Sequence, residues 1–328
     1  MPAQLAVIGS FVQDLAFTVN DFPAPGQTII GGFFTGPGGK GSNQAVAAHR
    51  QQVQTIFIGC VGEDIFAAGY REWCAQESLP IHLLTAKGVP TGAASIVVNA
   101  RAENAIVVAL GANDSLTPQF VLSTLQKEPS ISVVLLQAES NLRAAEAALY
   151  YARENALTSI FNPAPINPSI NAEVISLADY ITPNETECAF LVKHLTNIDF
   201  NDDFTTLSDD TIREVASHLP SPALLITTGA SGSILYQRES PRVGICGVKK
   251  GEIIRTPALS VNSIDTTGAG DAFNGGLAAG LVKFHGNLRQ AIRYATVVAG
   301  LSTEKMGTAP AMPSADEVKR YEPFYACS

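Results

Sequence analysis

The chain has 328 residues, of which 46% are hydrophobic, and a formal net charge of −9 at pH 7. This length and apolar content are sufficient for one large α/β domain with a sizeable core. The negative charge argues against nucleic acid as a partner, because nucleic-acid-binding proteins carry basic surfaces.

Five cysteines are scattered along the chain, without a CxxC pair or the spacing of a zinc site. The first residues carry no basic segment, and no apolar run reaches the roughly 18 residues of a membrane span. The sequence therefore predicts a cytoplasmic protein with free thiols and no membrane contact.

The first third of the chain predicts short strands separated by turns rich in glycine and proline. These strands are expected at residues 4–9, 15–19, 28–34, 55–59, 91–99 and 104–110, and the last two would form a hairpin. A glycine-rich loop is predicted at residues 36–43, followed by a helix from Asn43 to about Arg50.

From residue 132 onward, strands alternate with helices, at 133–137, 142–153, 159–162, 180–182 and 185–194. This alternation predicts a parallel sheet that is covered by helices. The early strands, within about 12–34 and 91–110, break the alternation and predict a smaller sheet that projects from a single domain of residues 1–328.

The glycine-rich loop at 36–43 contains a G-x-G-x-x-G pattern, but it does not follow the first strand, where a dinucleotide-binding fingerprint would lie. It also lacks the Ser or Thr that follows Gly-Lys in a Walker A loop. The loop offers one cation, Lys40, and one amide, Asn43, although Asn43 could equally cap its helix and Lys40 could be solvated.

Two further segments follow predicted strands, at the sheet edge where ligands of open α/β folds gather. Residues 162–165 (NPAP) give a rigid, extended exit from one strand. In residues 182–187 (TPNETE), Asn184 and Glu187 lie three positions apart at a predicted helix start. They could form a capping box, or they could hold Mg²⁺ and its waters.

Residues 263–275 (SIDTTGAGDAFNG) combine a loop of small residues, an acid and an amphipathic helix. A helix N-terminus attracts anions, and Gly268 and Gly270 would let a phosphate approach the backbone N–H groups. Asp271 could then accept a proton from an attacking hydroxyl, or it could merely cap the helix.

Together these motifs resemble the ribokinase family of sugar kinases (phosphofructokinase B type). Residues 38–45 (GGKGSNQA) are similar to the N-terminal signature of that family, and residues 265–273 (DTTGAGDAF) to its C-terminal signature. The NPAP and TPNETE segments resemble the ribokinase branch more than the fructokinase branch. The resemblance extends from Gly9 to Pro313.

The resemblance implies a three-layer α/β/α core with a mostly parallel sheet, a small β-sheet lid, and transfer of a phosphoryl group from ATP with Mg²⁺ to a primary hydroxyl of a pentose, most simply ribose. It also implies a homodimer formed through the lid. The residues it implies are Asp271 as the base; Gly268, Ala269 and Gly270 as the anion hole; Asp14, Gly39, Lys40, Asn43 and Glu139 on the sugar; Asn184, Thr228, Gly229 and Gly232 on the nucleotide; Glu187 with Asn184 on Mg²⁺; and Asp265 on a monovalent cation.

The chain departs from the family pattern at two positions. Ala311 stands where the potassium site of this family has a serine, which predicts weakened activation by K⁺. Val12 stands where the ribokinase branch has an Asn near the sugar, and this change predicts a pocket that discriminates less strictly against other sugars.

Three other functions remain open for such a chain. A dehydrogenase is disfavoured by the misplaced glycine pattern. A non-catalytic sugar or nucleotide sensor would be expected to lack Asp271, which this chain keeps. A nucleoside kinase would use the same machinery on a ribose that already bears a base, and the sequence does not separate it from a free-sugar kinase.

Overall fold

A computed structural model describes residues 4–101, 103–200, 202–240 and 244–326. The strands are β1 (Leu5–Ile8), β2 (Val12–Thr18), β3 (Gly32–Gly38), β4 (Thr55–Val61), β5 (Ile81–Thr85), β6 (Gly92–Val98), β7 (Asn104–Ala109), β8 (Val133–Gln137), β9 (Thr158–Asn162), β10 (Tyr180–Ile181), β11 (Ala223–Thr227), β12 (Ser233–Gln237) and β13 (Ile253–Thr256). The helices are α1 (Lys40–His49), α2 (Ile65–Glu77), α3 (Pro118–Leu125), α4 (Leu142–Glu154), α5 (Ala172–Leu177), α6 (Glu185–Thr196), α7 (Asp209–Ser217), α8 (Ala269–Lys283), α9 (Leu288–Ser302), α10 (Ala315–Lys319) and α11 (Glu322–Ala326).

A nine-stranded sheet forms the centre of the fold, in the order β13-β12-β11-β10-β9-β8-β1-β4-β5. The strands from β5 to β11 run parallel, whereas β12 and β13 are antiparallel to their neighbours. Strand β1 is buried along its whole length, as expected for a parallel strand with both faces covered.

Helices cover both faces of this sheet. Alternate residues of β1 contribute to two separate hydrophobic cores: Leu5 and Val7 pack with α1, α2, α8 and α9, and Ala6 and Ile8 pack on the opposite face with α3 to α7. The predicted three-layer core with a mostly parallel sheet is therefore confirmed.

A second sheet of four strands has the order β3-β2-β6-β7. Strand β2 is antiparallel to β3 and parallel to β6, and the predicted hairpin joins β6 to β7. Every residue of the edge strand β7 is exposed. This is the small lid sheet that the sequence predicted in addition to the core.

The junction between β3 and α1 differs from its prediction. The expected loop at 36–43 is reduced to Gly39, because β3 continues to Gly38 and α1 already begins at Lys40. Glycine is needed at both positions: a Cβ on Gly38 would lie 2.2 Å from an Asp14 carboxylate oxygen, and Gly39 has a φ of 86°. The predicted boundary was wrong because the glycines of this segment favour no regular structure.

Helices α1 and α8 pack unusually close together through Gly275. A Cβ at this position would lie 2.5 Å from the carbonyl oxygen of Gln44 and 2.6 Å from the Cβ of Ala47. The close approach brings the first turn of α8, from the C-terminal part of the chain, against α1 from the N-terminal part.

Among the helices in the described parts of the chain, none combines the length and the apolar composition that a membrane span requires.

Candidate active site

Asp271 lies at the centre of the candidate site, in the first turn of α8. The helix begins after Gly268, which has a φ of 79° and occupies the N-cap position. The Asp271 side chain is 6% exposed and does not cap its own helix. Its two oxygens instead accept hydrogen bonds of 2.9 Å from Asn43 Nδ2 and from Gln44 Nε2, so the simple capping interpretation does not hold.

A buried polar network continues from Asp271 beneath the site. Gln44 Nε2 also donates to Asn162 Oδ1 at 3.2 Å, and Gln44 Oε1 accepts a 2.7 Å hydrogen bond from Gln137 Nε2. Gln137 and Asn162 are the last residues of β8 and β9. The carboxyl ends of neighbouring parallel strands thus supply the polar floor of the site.

The same network reaches the backbone of the predicted anion hole. Asn162 Nδ2 donates to the carbonyl oxygen of Thr182, whose hydroxyl donates to Asn274 Oδ1. Asn274 Nδ2 donates in turn to the carbonyl oxygen of Gly270 at 2.8 Å. Side chains or backbone atoms from β8, β9, α1 and α8 and from the residue after β10 therefore hold the first turn of α8 in place.

Glu139 and Lys40 lie on the lid side of Asp271. Glu139 Oε2 accepts hydrogen bonds from the Ser10 hydroxyl at 2.5 Å and from the Lys40 backbone N–H at 2.7 Å. Both donors approach the same oxygen, so the other carboxylate oxygen stays available for a ligand. Burial raises the pKa of Glu139, against the opposing effect of the Lys40 charge.

Lys40 is the cation of this cluster. Burial by itself would lower the pKa of Lys40, but the negative charges of Asp271, Glu139 and Glu187 outweigh that effect and raise it. Lys40 is therefore fully protonated at neutral pH. One lysine nevertheless faces three carboxyl groups, so the cluster favours hydroxyl donors and cations over a bare anion.

Asp14 extends from β2 towards the same space, over Gly38. Its Oδ2 lies 3.3 Å from the Thr308 hydroxyl, which is equally far from the carbonyl oxygen of Pro37. Burial raises the pKa of Asp14 from 3.8 to about 6, and the charges of Glu139 and Asp271 add to this effect. Asp14 thus stays ionised at neutral pH, at an energetic cost to the folded protein.

A cleft of about 780 Å³ lies on the other side of α8. Its walls include Ala269 and Gly270 from the first turn of α8, Gly229 and Gly232 after β11, and Asn184 before α6. The space next to Gly270 is open, because a Cβ there would meet no atom within 4 Å. The N–H of Ala269 donates to the carbonyl oxygen of Thr266 at 3.2 Å, whereas the next N–H groups of α8, those of Gly270 and Asp271, have no intrahelical acceptor and can face an anion at this end of the cleft.

The predicted nucleotide residues after β11 form one tight turn. Gly232 has a φ of 103°, and a Cβ there would lie 2.0 Å from the carbonyl oxygen of Thr256. Thr228 is buried and does not line the cleft; its N–H donates to the carbonyl oxygen of Gly232 and closes the turn. Thr227 reaches the cleft wall instead.

Asn184 and Glu187 form the capping box of α6. Asn184 Oδ1 accepts from the Glu187 N–H at 2.8 Å, and Glu187 Oε2 accepts from the Asn184 N–H at 2.9 Å. One Glu187 oxygen remains for another ligand. Among the described residues, no group of three His, Cys, Asp or Glu side chains could hold a metal ion. The donor set fits Mg²⁺ held mainly by water and phosphate oxygens.

Asp265 joins the loop before α8 to a later turn. Its Oδ1 accepts from the Thr267 N–H at 2.9 Å, and its Oδ2 accepts from the Gly307 N–H at 3.0 Å. Each oxygen keeps a further lone pair for a cation. Ala311, four residues after Gly307, is buried and offers no side-chain oxygen.

Sequence reasoning missed five polar residues that form hydrogen bonds with the site residues or with their supports, namely Ser10, Gln44, Gln137, Asn274 and Thr308. Gln44 lies within the quoted signature, and its burial could have been suspected from its neighbours Ala45 to Ala48. Nothing in the sequence relates Gln137 or Thr308 to Gln44 or Asp14, since those contacts form only in the folded chain.

The chain is similar to known proteins over nearly its whole length. A model of the pfkB family carbohydrate kinases matches residues 2–315. The chain is 34% identical over 327 residues to the ribokinase of Bacillus subtilis (strain 168), covering 96% of this chain and 98% of that protein. It is 31% identical over 327 residues to the deoxyribokinase of Salmonella typhi, covering 97% and 98% of the two proteins. The solved structure of the ribokinase from Giardia lamblia superposes with a TM-score of 0.84 at 29% identity, covering 98% of this chain and 99% of that one.

Proposed function

This chain belongs to the pfkB family of carbohydrate kinases, and from that premise we propose that it transfers the γ-phosphoryl group of ATP to a primary hydroxyl of a pentose, with ribose as the main acceptor. One observation carries the proposal. Asp271 stands between the large cleft that begins at Gly270 and the polar cluster of Asp14, Lys40 and Glu139. A nucleotide and a sugar on these two sides would meet at Asp271.

In the proposed reaction the sugar hydroxyl oxygen attacks the γ-phosphorus, the bond from that phosphorus to the β–γ bridging oxygen breaks, and the hydroxyl proton passes to Asp271. Asn43 and Gln44 each donate to a different oxygen of that carboxylate, which fixes its orientation. The N–H groups of the first turn of α8 stabilise the charge on the transferred group, and positioning provides most of the rate enhancement.

The sugar side has the donors and acceptors that a pentose needs. Asp14 and Glu139 each keep carboxylate capacity for ring hydroxyls, and Lys40 supplies a cation. Asn43 Oδ1 is buried and has no hydrogen-bond partner among the described residues, so a sugar hydroxyl could satisfy it. The backbone of Gly39 lies between β3 and α1, directly before Lys40.

Two cations belong to the proposal. Glu187, through its free oxygen, and Asn184 would hold Mg²⁺ by way of its waters, and the bound ion would neutralise charge on the phosphates of ATP. Neutralisation of the phosphate charge by a cation is important here because the site itself contains several carboxylates. Asp265 would contribute to a monovalent-cation site for K⁺, weakened by the absence of a hydroxyl at Ala311.

The acceptor range is broader than ribose in this proposal. Val12 is buried and provides no hydrogen-bond partner for a sugar hydroxyl, so loss of one hydroxyl from the substrate costs less binding energy. The deoxyribokinase among the relatives is consistent with such a range. A nucleoside kinase is the second candidate, because the same apolar substitution would tolerate a ribose that bears a base.

We further propose a homodimer formed through the lid and a cytoplasmic location. The lid sheet exposes large apolar side chains, including Phe33 at 58% and Val107 at 73%, together with the open edge of β7. Pairing of two lids would cover both. The four described cysteines, Cys60, Cys74, Cys188 and Cys246, are free, as expected in a reducing compartment.

An ATP-consumption assay with identification of the phosphorylated product tests the main proposal. Ribose, 2-deoxyribose, several hexoses and several nucleosides are supplied separately with Mg²⁺, and kcat/KM is compared among them. The highest value for a free pentose supports the proposal, and a higher value for a nucleoside favours the second candidate. Binding without turnover for every acceptor would indicate a sensor and refute the kinase.

A further inference from the structure

We propose that Gln44 is a positioning residue for the base Asp271, and that Gln137 fixes the orientation of the Gln44 amide. The inference rests on the proposed function, since Asp271 is a base only in a kinase. Gln44 and Gln137 are both completely buried, at the centre of the interface between α1, the sheet and α8. Neither reaches the space in which the sugar or the nucleotide would lie.

The hydrogen bonds of Gln44 leave its amide only one orientation. Its Nε2 has two protons, and they lie towards Asp271 Oδ1 at 2.9 Å and Asn162 Oδ1 at 3.2 Å. Its Oε1 accepts from Gln137 Nε2 at 2.7 Å. Reversal of the amide would place an oxygen against two acceptor oxygens and a nitrogen against a donor, so the protein strongly disfavours it.

Gln137 is itself held at an unusual place. Its side chain lies over Gly9, and a Cβ added to Gly9 would be 1.8 Å from Gln137 Oε1. That oxygen has no hydrogen-bond partner among the described residues. A buried amide with an unsatisfied oxygen opposes folding, which indicates that its Nε2 bond to Gln44 has a functional value that stability does not explain.

The two donors to Asp271 determine the direction in which its carboxylate presents its lone pairs. Asn43 holds Oδ2 and Gln44 holds Oδ1, so the carboxylate plane is set by two donors from adjacent residues of α1. Loss of the Gln44 donor frees the carboxylate to rotate about its χ2 angle. A misplaced base lowers the rate of proton transfer, whereas the binding of sugar and ATP does not depend on Gln44.

The test is a double-mutant cycle of Gln44→Met with Asp271→Asn. Gln44→Met keeps the volume and removes the amide. We expect kcat to fall roughly 10- to 100-fold, with the KM for sugar and for ATP changed by less than about threefold. In the Asp271→Asn background the same substitution should change kcat by less than about twofold, because the carboxylate through which Gln44 acts is absent.

Gln51→Met is the matched control. Gln51 follows α1, is also completely buried, and likewise makes three side-chain hydrogen bonds, to Ala47, Pro313 and Tyr294. Its replacement should reduce stability about as much as Gln44→Met and leave kcat unchanged. Equal losses of kcat from both substitutions, or an equal loss from Gln44→Met in both backgrounds, would overturn the inference.

Gln137→Met keeps the inference testable if Gln44→Met does not fold. This substitution removes the unsatisfied Gln137 oxygen but leaves Gln44 Oε1 without its donor, so the two effects on stability oppose each other and the fold should tolerate the change. We expect a several-fold fall in kcat in the wild-type background alone, and an unchanged kcat would count against the inference. Wild-type protein without sugar kinase activity would instead refute the proposed function.

Discussion

Replacement of Asp14 by Asn should stabilise the ligand-free protein while weakening its sugar site. Burial raises the pKa of Asp14 from 3.8 to about 6, so the folded state binds this proton more tightly than the unfolded chain does. The ionised carboxylate therefore opposes folding. The cost is fully present above about pH 6 and disappears as the pH falls through the interval towards 3.8.

The difference between the two pKa values sets the size of the effect. At 1.36 kcal/mol for each pKa unit, the ionised carboxylate costs at most about 3 kcal/mol at pH 7.5 and about 1 kcal/mol at pH 4.5. Asn has the same shape, carries no charge and can accept the hydrogen bond from Thr308. Asp14→Asn should thus raise the free energy of unfolding by up to these amounts.

Urea unfolding of the ligand-free protein at both pH values measures this prediction. Asp114→Asn, at an exposed position, is the control and should change stability little at either pH. Sugar affinity, measured separately, should fall roughly 10- to 100-fold in Asp14→Asn, because a charged hydrogen bond is lost. A variant that is less stable than wild type at pH 7.5, or equally stabilised at both pH values, would refute the reasoning.

Three further predictions concern the site. Asp271→Asn should lower kcat by roughly 10² to 10⁴-fold with a modest change in the KM for sugar, and retained turnover would remove Asp271 from the role of base. Gly275→Ala should destabilise the protein by about 1–3 kcal/mol and lower kcat, because its Cβ forces α8 away from α1; Gly69→Ala, where a Cβ meets no atom within 4 Å, should do neither. Ala311→Ser should steepen the dependence of rate on K⁺, and identical K⁺ titrations of the variant and wild type would contradict a weakened site.

The elements of the core could be predicted because their pattern is local. Continuous apolar runs such as residues 133–136 are typical of parallel strands that are buried on both faces, and the structure has β8 at residues 133–137. The junction at Gly39 could not be located, since its conformation depends on contacts with Asp14 and with the backbone of Phe11 and Val12. Local sequence does not specify such contacts.

The candidate site likewise contains residues that the sequence predicted and contacts that it did not predict. Asp271, Lys40 and Asn43 lie in recognisable glycine-rich segments, and the structure brings Asn43 to Asp271. The orientation of the Asp271 carboxylate depends on Gln44 and Gln137, which are 93 positions apart in the sequence. The burial of a single glutamine produces no periodic pattern in the sequence, so only the folded structure shows which residues it contacts.

The hydrogen bond between Asn43 and Asp271 spans 228 positions of the chain, and this distance matters during synthesis on the ribosome. The lid strands and α1 emerge early, whereas α8 emerges only after about four-fifths of the polypeptide has been made. Until then the nascent chain lacks the base, and the side of α1 that α8 will cover is open to water or to chaperones. Long-range pairing of this kind is slow to form, so we expect the last step of folding to be the docking of α8 together with α9, which packs in the same core, and this step would also switch on catalysis.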